Sequence, residues 1–386
     1  MKRILIVLIL IATVLAACAP SVETLPGGNP NIVYFGRTDR SDSLHPKQWA
    51  AGGYFNVRFK GNYCVINISD EYYSDRRANI LEVAVDLIYG TQVVITKDSV
   101  TNIVIGNAPQ SVLDTLKGNV VKCFEDLLPN EYVATICRNT ETAMGYTQVN
   151  WVSAPKILPC QPFNVYGTIE FIGNSITCGA EADTSLMPSA QYKWGDWHRA
   201  YYGYGPRTAR NLGSAWSLVS VSGIGLIHSC CDMEVTMPQV YDKYVLRYNQ
   251  KPYKDELGTY LFCICLGQND GIQDSTAFCD AYVDFVKKVV DFNLHGDMVT
   301  NWHVFLLTSP MADEPLRDWQ KKMLTSIEQR LQEVWPDRIH KYFFSRSWNS
   351  GGVSHPSVEE HEQIANELSN FMRSILLIKI SNYEND

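Results

Sequence analysis

The sequence predicts a mixed β and α/β fold: a β-sandwich, followed by an α/β/α domain with three layers around a parallel sheet. Residues 31–155 contain short strand-like runs divided by turn residues, a pattern typical of sandwiches. Residues 165–380 alternate strand-like and helical segments, as in parallel sheets covered by helices. The stretch "VSAPKILPCQP" indicates the boundary, because proline fits neither a central strand nor a helix interior.

Turn dipeptides separate the predicted strands of the sandwich from one another. Gly61-Asn62 divides "YFNVRFKGNYCVINIS" into two runs, and Gly90-Thr91 divides the next pair in the same way. The runs "TNIVIGN" and "EYVATICRNT" continue the series. A short helix is expected only near "PQSVLDTLKG".

The second domain is read from apolar periodicity. The uninterrupted run "TYLFCICLG" predicts a strand that is buried on both faces. The segment "STAFCDAYVDFVKKVVDFN" has apolar residues at helical spacing. Ser357 and Glu360 have the spacing of a capping box at the start of a final helix. The other predicted strands are "TIEFIG", "AWSLVSVSG", "NWHVFLLTSP" and "HKYFFS".

Residues 1–18 have the features of an export signal. A basic start precedes an apolar run that ends in "LAAC", which resembles a bacterial lipobox with Cys18 as the lipidated residue. The alternative is an ordinary signal peptide with a chance cysteine. Residues 19–30 are predicted to be a flexible tether. We therefore expect an exported lipoprotein, held to the membrane by its lipid anchor only, in the periplasm or at the cell surface.

Composition excludes several classes of partner. The formal net charge is -8, and no cluster of lysine and arginine suits a phosphate backbone, so we expect no nucleic acid. A neutral partner such as a sugar is the better match. The chain has no CxxC pair, and "HPSVEEH" has the wrong spacing for a zinc site, so neither a metal nor another cofactor is expected. The sequence predicts no oligomeric state.

The sequence contains 11 cysteines, one of which is Cys18. The others are interpreted as buried free thiols that pack as small apolar side chains. Cys230 and Cys231 are adjacent and would pair only with strain, so no disulfide is predicted.

The ends of the predicted parallel strands carry polar residues, and such ends meet at the edge of the sheet where ligands bind. Ser175 follows the first strand in "GNSIT", and Asn269 follows the third in "GQND". Two glycines follow the second in "SGIG", and His355 lies beyond the last in "SHP". A serine needs an adjacent base to act as a nucleophile, histidine suits that task, and amide N–H groups can stabilise an oxyanion.

This ordered set of motifs resembles the SGNH, or GDSL-type, hydrolases over residues 165–380. The preceding sandwich, with "GRTDR" and "FNVRFKGNYCVINI", resembles the jelly-roll domain of carbohydrate esterase family 2. The resemblance implies removal of acetyl groups from plant polysaccharides such as acetylated xylan or mannan. It implies Ser175 as nucleophile and His355 as general base. It also implies an oxyanion hole formed by the Ser175 amide, Asn269 and a glycine, with Gly225 preferred and Gly223 as the alternative.

The sequence departs from the family pattern in three places. The usual "NxND" or "GTND" block is "GQND" here, which keeps the donor Asn269. Asn174 replaces the usual aspartate before the serine, where the residue more often shapes the loop than performs chemistry. The positions before His355 where the family often has an orienting aspartate are Gly352 and Val353. We therefore expect a Ser–His dyad in which a backbone carbonyl from residues 346–353 accepts the imidazole N–H. A carboxylate from elsewhere, such as Asp270, is the alternative.

Aromatic residues near the motifs are candidates for sugar binding. Trp348 lies in the loop that carries His355 and is the preferred platform, and Trp194 follows the serine loop together with Trp197 and Tyr201. The alternative is that these rings pack in the core or at its rim. Two other functions stay open: a catalytically degenerate protein that binds glycan, and an esterase acting on a lipid or another ester.

Overall fold

The computed structural model describes residues 22–71, 79–86, 90–96, 100–161, 166–186, 193–246, 251–254, 258–294 and 301–383. The predicted export signal and Cys18 lie outside these ranges. Within the described part of the chain, no helix has both the length and the apolar character needed to cross a membrane.

Two facing sheets form the N-terminal sandwich. The strands are β1 (Glu23–Pro26), β2 (Ile32–Phe35), β3 (Thr38–Asp39), β4 (Lys47–Gln48), β5 (Tyr54–Gly61), β6 (Tyr63–Asp70), β7 (Ile80–Val85), β8 (Thr91–Ile95), β9 (Val100–Gly106), β10 (Asn119–Cys123), β11 (Asn130–Arg138), β12 (Thr147–Ala154) and β13 (Lys156–Leu158). One sheet has the order β10-β9-β6-β12-β4-β3, and β1 also pairs with β12. The other sheet has the order β13-β5-β11-β7-β8, and β2 also pairs with β5. Apolar residues from both sheets fill the space between them.

The sandwich is confirmed, but its limits differ from the prediction. Part of the predicted tether, Glu23–Pro26, is a strand that pairs antiparallel with β12. At the other end, Lys156–Leu158 pairs with β5 beyond the predicted last residue. The short helix expected after β9 is present as α1 (Gln110–Leu113).

The C-terminal domain is built on five parallel strands in the order β15-β14-β16-β17-β18. The predicted runs form these strands: β14 (Thr168–Gly173), β15 (Ala215–Ser220), β16 (Thr259–Cys265), β17 (His303–Leu307) and β18 (Ile339–Tyr342). Every residue of β14, β15 and β17 is buried, as expected for strands covered on both faces. The first strand of this domain, β14, thus lies second in the sheet, with later strands on either side of it.

Helices cover both faces of this sheet and complete the predicted three layers. Two apolar clusters, one on each side, join the sheet to its helices. The predicted capping box is present: the Glu360 amide donates to Ser357 Oγ (3.3 Å), and the Ser357 amide donates to Glu360 Oε2 (3.0 Å). The helices are α2 (Ser175–Cys178), α3 (Tyr204–Asn211), α4 (Met237–Val240), α5 (Ser275–Asn293), α6 (Leu316–Gln332) and α7 (Val358–Tyr383).

The two domains share a buried interface. Arg37 of the sandwich is fully buried, donates to the carbonyl oxygens of Tyr241 and Lys243, and lies 4.0 Å from the Glu170 carboxylate. Apolar and aromatic contacts extend this interface, because sandwich residues belong to the same cluster as one face of the parallel sheet. The domains therefore pack as one unit rather than as modules joined by a linker.

The cysteines follow the prediction except for one pair. The eight free cysteines of the described chain are all buried. Cys230 and Cys231 form a disulfide, contrary to the expectation that adjacent cysteines would stay unpaired. They lie in a turn in which Cys231 and Asp232 both have positive φ values.

Candidate active site

The candidate site lies where the strand order reverses. The chain runs from β14 outward to β15 and then returns to the other side of β14 with β16, so the loops after these strands diverge. Such a switch point leaves a crevice at the carboxyl ends of the strands. Ser175 follows β14, Gly223 follows β15, and Asn269 follows β16. The topology therefore brings together residues that are far apart in the sequence.

Ser175 is held by the turn from β14 into α2. A Cβ atom on Gly173 would lie 2.2 Å from Thr177 Oγ1, so only glycine allows the helix to start this close to the strand. The buried Asn174 caps the helix, because its Oδ1 accepts a hydrogen bond from the Ile176 amide (3.1 Å). The residue that replaces the usual aspartate therefore shapes the loop, as the sequence indicated.

His355 lies within hydrogen-bonding distance of the serine. Its Nε2 is 2.9 Å from Ser175 Oγ. Burial lowers the pKa of the imidazole, and the backbone carbonyl groups of Gly352 and Val353 raise it to a smaller extent. The ring is therefore neutral near pH 7, the state in which Nε2 can accept the serine proton.

No described carboxylate bonds to the other ring nitrogen of His355. This buried Nδ1 has no hydrogen-bond partner of good geometry within the described residues, and the backbone groups of Gly352 and Val353 raise the pKa of the ring. Asp270, the alternative acid, accepts hydrogen bonds from the amides of Leu226, Ile227 and His228 instead. Among the described residues, the groups that act on the imidazole thus come from the expected loop, and no carboxylate bonds to the ring.

Backbone contacts fix the loop that carries His355. The Gly352 amide donates to the Glu181 carbonyl oxygen (2.7 Å), which ties this loop to the segment that follows the nucleophile helix. Val353 has φ 47° and ψ 42°, and 69% of its surface is exposed. A β-branched residue in the left-handed region is a true outlier, and such strain collects at functional sites.

The glycine preferred for the oxyanion hole is corrected by the structure. The Gly225 amide donates to Ser229 Oγ (3.0 Å), so this N–H is already engaged. The Gly223 amide has no acceptor among the described residues, and Gly223 has φ 85°, which favours glycine. Gly223, the stated alternative, is therefore the better candidate.

Asn269 braces the same loop. Its Nδ2 donates to the Ile224 carbonyl oxygen at 2.8 Å, which leaves its second amide hydrogen for another acceptor. The Ser175 amide also has no acceptor in the described chain. The three candidate donors for an oxyanion are therefore the Ser175 amide, the Gly223 amide and the Asn269 side chain.

Four aromatic residues are candidates for sugar binding in the sequence, and the structure buries three of them and leaves one exposed. Trp348 is only 1% exposed and packs edge-on against Phe344 at 5.9 Å, so it cannot serve as a sugar platform. Trp197 and Tyr201 are also buried. Trp194 is 40% exposed, and its ring stands edge-on to His198. Trp194 therefore remains the available aromatic surface.

One further residue at the site, Glu141, is not predicted by any pattern in the sequence. This buried residue lies in the sandwich domain, 81 positions before Ser222, yet its Oε2 accepts a hydrogen bond from the Ser222 amide (2.7 Å). No motif or periodicity connects two positions this far apart. The contact exists only because the sandwich packs against this edge of the sheet.

Comparison with known proteins gives one family and several relatives. Residues 34–159 match the family model described as carbohydrate esterase 2 N-terminal. The chain is 24% identical over 368 residues to the cellulase/esterase CelE of Acetivibrio thermocellus, and covers 40% of that protein's length. It is 22% identical over 369 residues to an acetylxylan esterase / glucomannan deacetylase of Cellvibrio japonicus, and covers 92% of it.

Solved structures agree with this result. A family two carbohydrate esterase from Cellvibrio japonicus has a TM-score of 0.75 at 19% identity, covering 92% of this chain and 98% of its own. A family two carbohydrate esterase from Clostridium thermocellum, solved in complex with cellohexaose, has a TM-score of 0.72 at 22% identity, covering 89% and 99%. At these identities the likeness establishes the fold. The resemblance to carbohydrate esterase family 2 is thereby confirmed for the N-terminal domain by the family model, and the whole chain shares the fold of solved family two carbohydrate esterases.

Proposed function

We propose that this protein is a carbohydrate O-acetyl esterase that removes acetyl groups from plant polysaccharide of the xylan or mannan type. The family of its homologues indicates an esterase. The observation that carries the proposal is the 2.9 Å contact between Ser175 Oγ and His355 Nε2 at a sheet edge supplied with amide donors. The substrate class is taken from the Cellvibrio japonicus relative, which is an acetylxylan esterase / glucomannan deacetylase.

The first half of the reaction uses a Ser–His dyad. Ser175 Oγ attacks the acetyl carbonyl carbon while His355 Nε2 takes the hydroxyl proton. The carbonyl electron pair moves to oxygen, and the resulting oxyanion accepts hydrogen bonds from the Ser175 and Gly223 amides and from Asn269. The intermediate collapses when the bond to the sugar oxygen breaks, and His355 returns its proton to that oxygen.

The second half restores the enzyme. An acetyl group remains on Ser175, and a water molecule attacks its carbonyl carbon while His355 removes a proton from the water. The bond to Ser175 Oγ then breaks, the proton passes from His355 to that oxygen, and acetate leaves. Each oxyanion donor is worth roughly 10²- to 10³-fold in kcat in acyl-transfer enzymes of this kind.

The direct test is acetate release by the purified protein. Wild type should release acetate from acetylated xylan and hydrolyse 4-nitrophenyl acetate, whereas Ser175→Ala should lose at least about 10³-fold in kcat, because the substitution removes the attacking hydroxyl. Ser185→Ala is a matched control, since Ser185 is exposed and bonds to Asp183. Full activity in Ser175→Ala would rule out the nucleophile.

A second candidate is a protein that binds glycan without cutting it. It is favoured by the absence of a carboxylate bonded to His355 among the described residues and by the exposed Trp194. One solved relative carries cellohexaose. Binding of cellohexaose by wild type, measured by calorimetry, together with no acetate release from any substrate, would favour this function over the esterase.

A third candidate keeps the hydrolase but changes the ester to a lipid or another acyl group. A series of 4-nitrophenyl esters from acetate to palmitate distinguishes an acetyl esterase from an esterase that acts on lipids. The acetyl esterase should be fastest on acetate, and a rate that rises with chain length would point to a lipid ester.

We further propose that the protein is an exported lipoprotein anchored through Cys18. The support is the "LAAC" pattern after an apolar run. Labelling of expressing cells with radioactive palmitate should mark the wild type and not Cys18→Ala. Equal labelling of both would contradict the anchor.

A further inference from the structure

The sandwich domain sends one side chain into the catalytic domain beside the candidate oxyanion hole. Glu141 lies just after β11, and the buried Arg138 fixes the backbone there by donating to the carbonyl oxygens of Gln48, Thr140 and Glu141, each at 2.9 Å. The backbone segment that carries Glu141 is therefore held in place, and it belongs entirely to the sandwich domain.

A single oxygen of Glu141 contacts two elements of the site. Its Oε2 accepts hydrogen bonds from the Ser222 amide at 2.7 Å and from Cys178 Sγ at 3.2 Å. Burial and the Glu141 carboxylate raise the pKa of the Cys178 thiol well above its ordinary value, so this thiol stays protonated and donates. Ser222 precedes Gly223, and Cys178 is the last residue of the helix that Ser175 begins.

These contacts couple the two backbone donors of the candidate oxyanion hole. The Ser175 amide is fixed by α2, whose C-terminal residue contacts Glu141. The Ser222 amide donates to the same Glu141 oxygen, and the Gly223 amide is the next amide along the backbone. The spacing between the two donors therefore depends on a carboxylate that comes from outside the catalytic domain.

We infer that Glu141 is a positioning residue for the oxyanion hole, so that the sandwich domain forms part of the catalytic apparatus. The inference rests on the proposed function. Glu141 itself does not touch the acyl group in this scheme: it sets the distance between the Ser175 and Gly223 amides. Small displacements of such donors lower the rate strongly, because they stabilise the charge that develops in the transition state.

The kinetic test compares Glu141→Ala with Glu141→Gln. In the alanine variant we expect kcat on 4-nitrophenyl acetate to fall roughly 10- to 100-fold, with KM changed by less than about threefold, because the loss concerns the transition state. The glutamine oxygen can still accept from the Ser222 amide, so Glu141→Gln should fold and keep most of the activity. The inhibition constant of a boronic acid, which forms a tetrahedral adduct with serine, should rise in parallel with the loss of kcat.

Glu82→Gln is the matched control. Glu82 is another buried carboxylate at the interface between the domains, where it pairs with Arg199 and does not contact the oxyanion loop. This variant should lower the melting temperature but leave kcat and the boronic acid constant near the wild-type values at temperatures where it is folded. Equal kinetic losses in Glu82→Gln and Glu141→Ala would reduce Glu141 to a general interface residue and overturn the inference.

A measurement without turnover separates this inference from the proposed function. Hydrogen exchange at the Ser222 amide should accelerate in Glu141→Ala and not in Glu82→Gln, since only the first variant removes the acceptor of that amide. Unchanged exchange in Glu141→Ala overturns the positioning role. An inactive wild type with this exchange pattern would overturn the esterase but keep Glu141 as the brace of the loop.

Discussion

At the scale of single residues, the candidate dyad pairs Ser175 with a histidine that is largely buried and that bonds to no carboxylate of the described residues. His355 contacts Ser175 Oγ at 2.9 Å, and burial lowers its pKa. In a triad that relies on its aspartate, losing the acid costs about 10⁴-fold in kcat. In this site the backbone carbonyl groups of Gly352 and Val353 raise the pKa of the ring, and no carboxylate of the described residues bonds to its Nδ1.

The pH dependence of the reaction follows from the direction of that pKa shift. Only neutral His355 can accept the serine proton, so kcat/KM should fall as the pH drops through its pKa, which lies below the ordinary value of about 6.5. We expect an acid limb with its midpoint below about 6.5 and a plateau through neutral pH. A profile of kcat/KM between pH 4.5 and 8 measures this, and a midpoint near 7 would contradict it.

At the scale of elements, one side chain bridges residues 350 and 357 of the loop between β18 and α7. Glu360 Oε2 accepts hydrogen bonds from the Ser350 amide (2.9 Å) and the Ser357 amide (3.0 Å), which lie on either side of His355. The capping box therefore does more than start a helix. It also closes the loop that presents the imidazole.

We expect Glu360→Ala to damage both stability and activity. Loss of the cap should cost about 1 kcal/mol of the free energy of unfolding, and a looser loop should lower kcat roughly tenfold. Urea unfolding and 4-nitrophenyl acetate kinetics measure the two effects. Glu359→Ala removes the same charge from an exposed neighbour that accepts a hydrogen bond from the Ser357 hydroxyl, and it should be nearly neutral. Equal effects in both variants would point to charge rather than to the cap.

At the scale of the whole molecule, the two domains are joined by buried charges and aromatic rings. The guanidinium of Arg37 lies 4.6 Å from the centre of the Tyr253 ring and 4.0 Å from the Glu170 carboxylate. Tyr54 of the sandwich stacks on Trp216 of the parallel sheet at 3.9 Å. An interface of this kind makes independent motion of the domains unfavourable, which suits a site to which both domains contribute.

Arg37→Ala should therefore destabilise the protein strongly. Removing one partner of a buried ion pair costs about 3–5 kcal/mol, because it leaves the other charge uncompensated. Arg58→Ala is the control, since the Arg58–Glu131 pair is exposed and such pairs are worth no more than about 1 kcal/mol. Urea unfolding should show one transition in each protein, with a large shift only in Arg37→Ala. A shift no larger than that of Arg58→Ala would contradict a coupling role for the arginine.

The sequence by itself determined the order of the domains, the five parallel strands and the residues after their ends. These features depend on local periodicity and on turn chemistry, which a single chain displays directly. It predicted the Ser175–His355 pair because a parallel sheet brings its strand ends together. The absence of an aspartate near His355 was also visible in the sequence alone.

Only the tertiary structure decided matters of contact and direction. Gly223 replaces Gly225 as the candidate donor because Ser229 engages the Gly225 amide, and Trp348 is buried although its loop carries His355. Glu23–Pro26 is a strand because β12 offers it an edge, and Glu141 reaches the site because the domains pack together. These features depend on contacts between residues that are far apart in the sequence, and the periodicity of a single segment carries no information about such contacts.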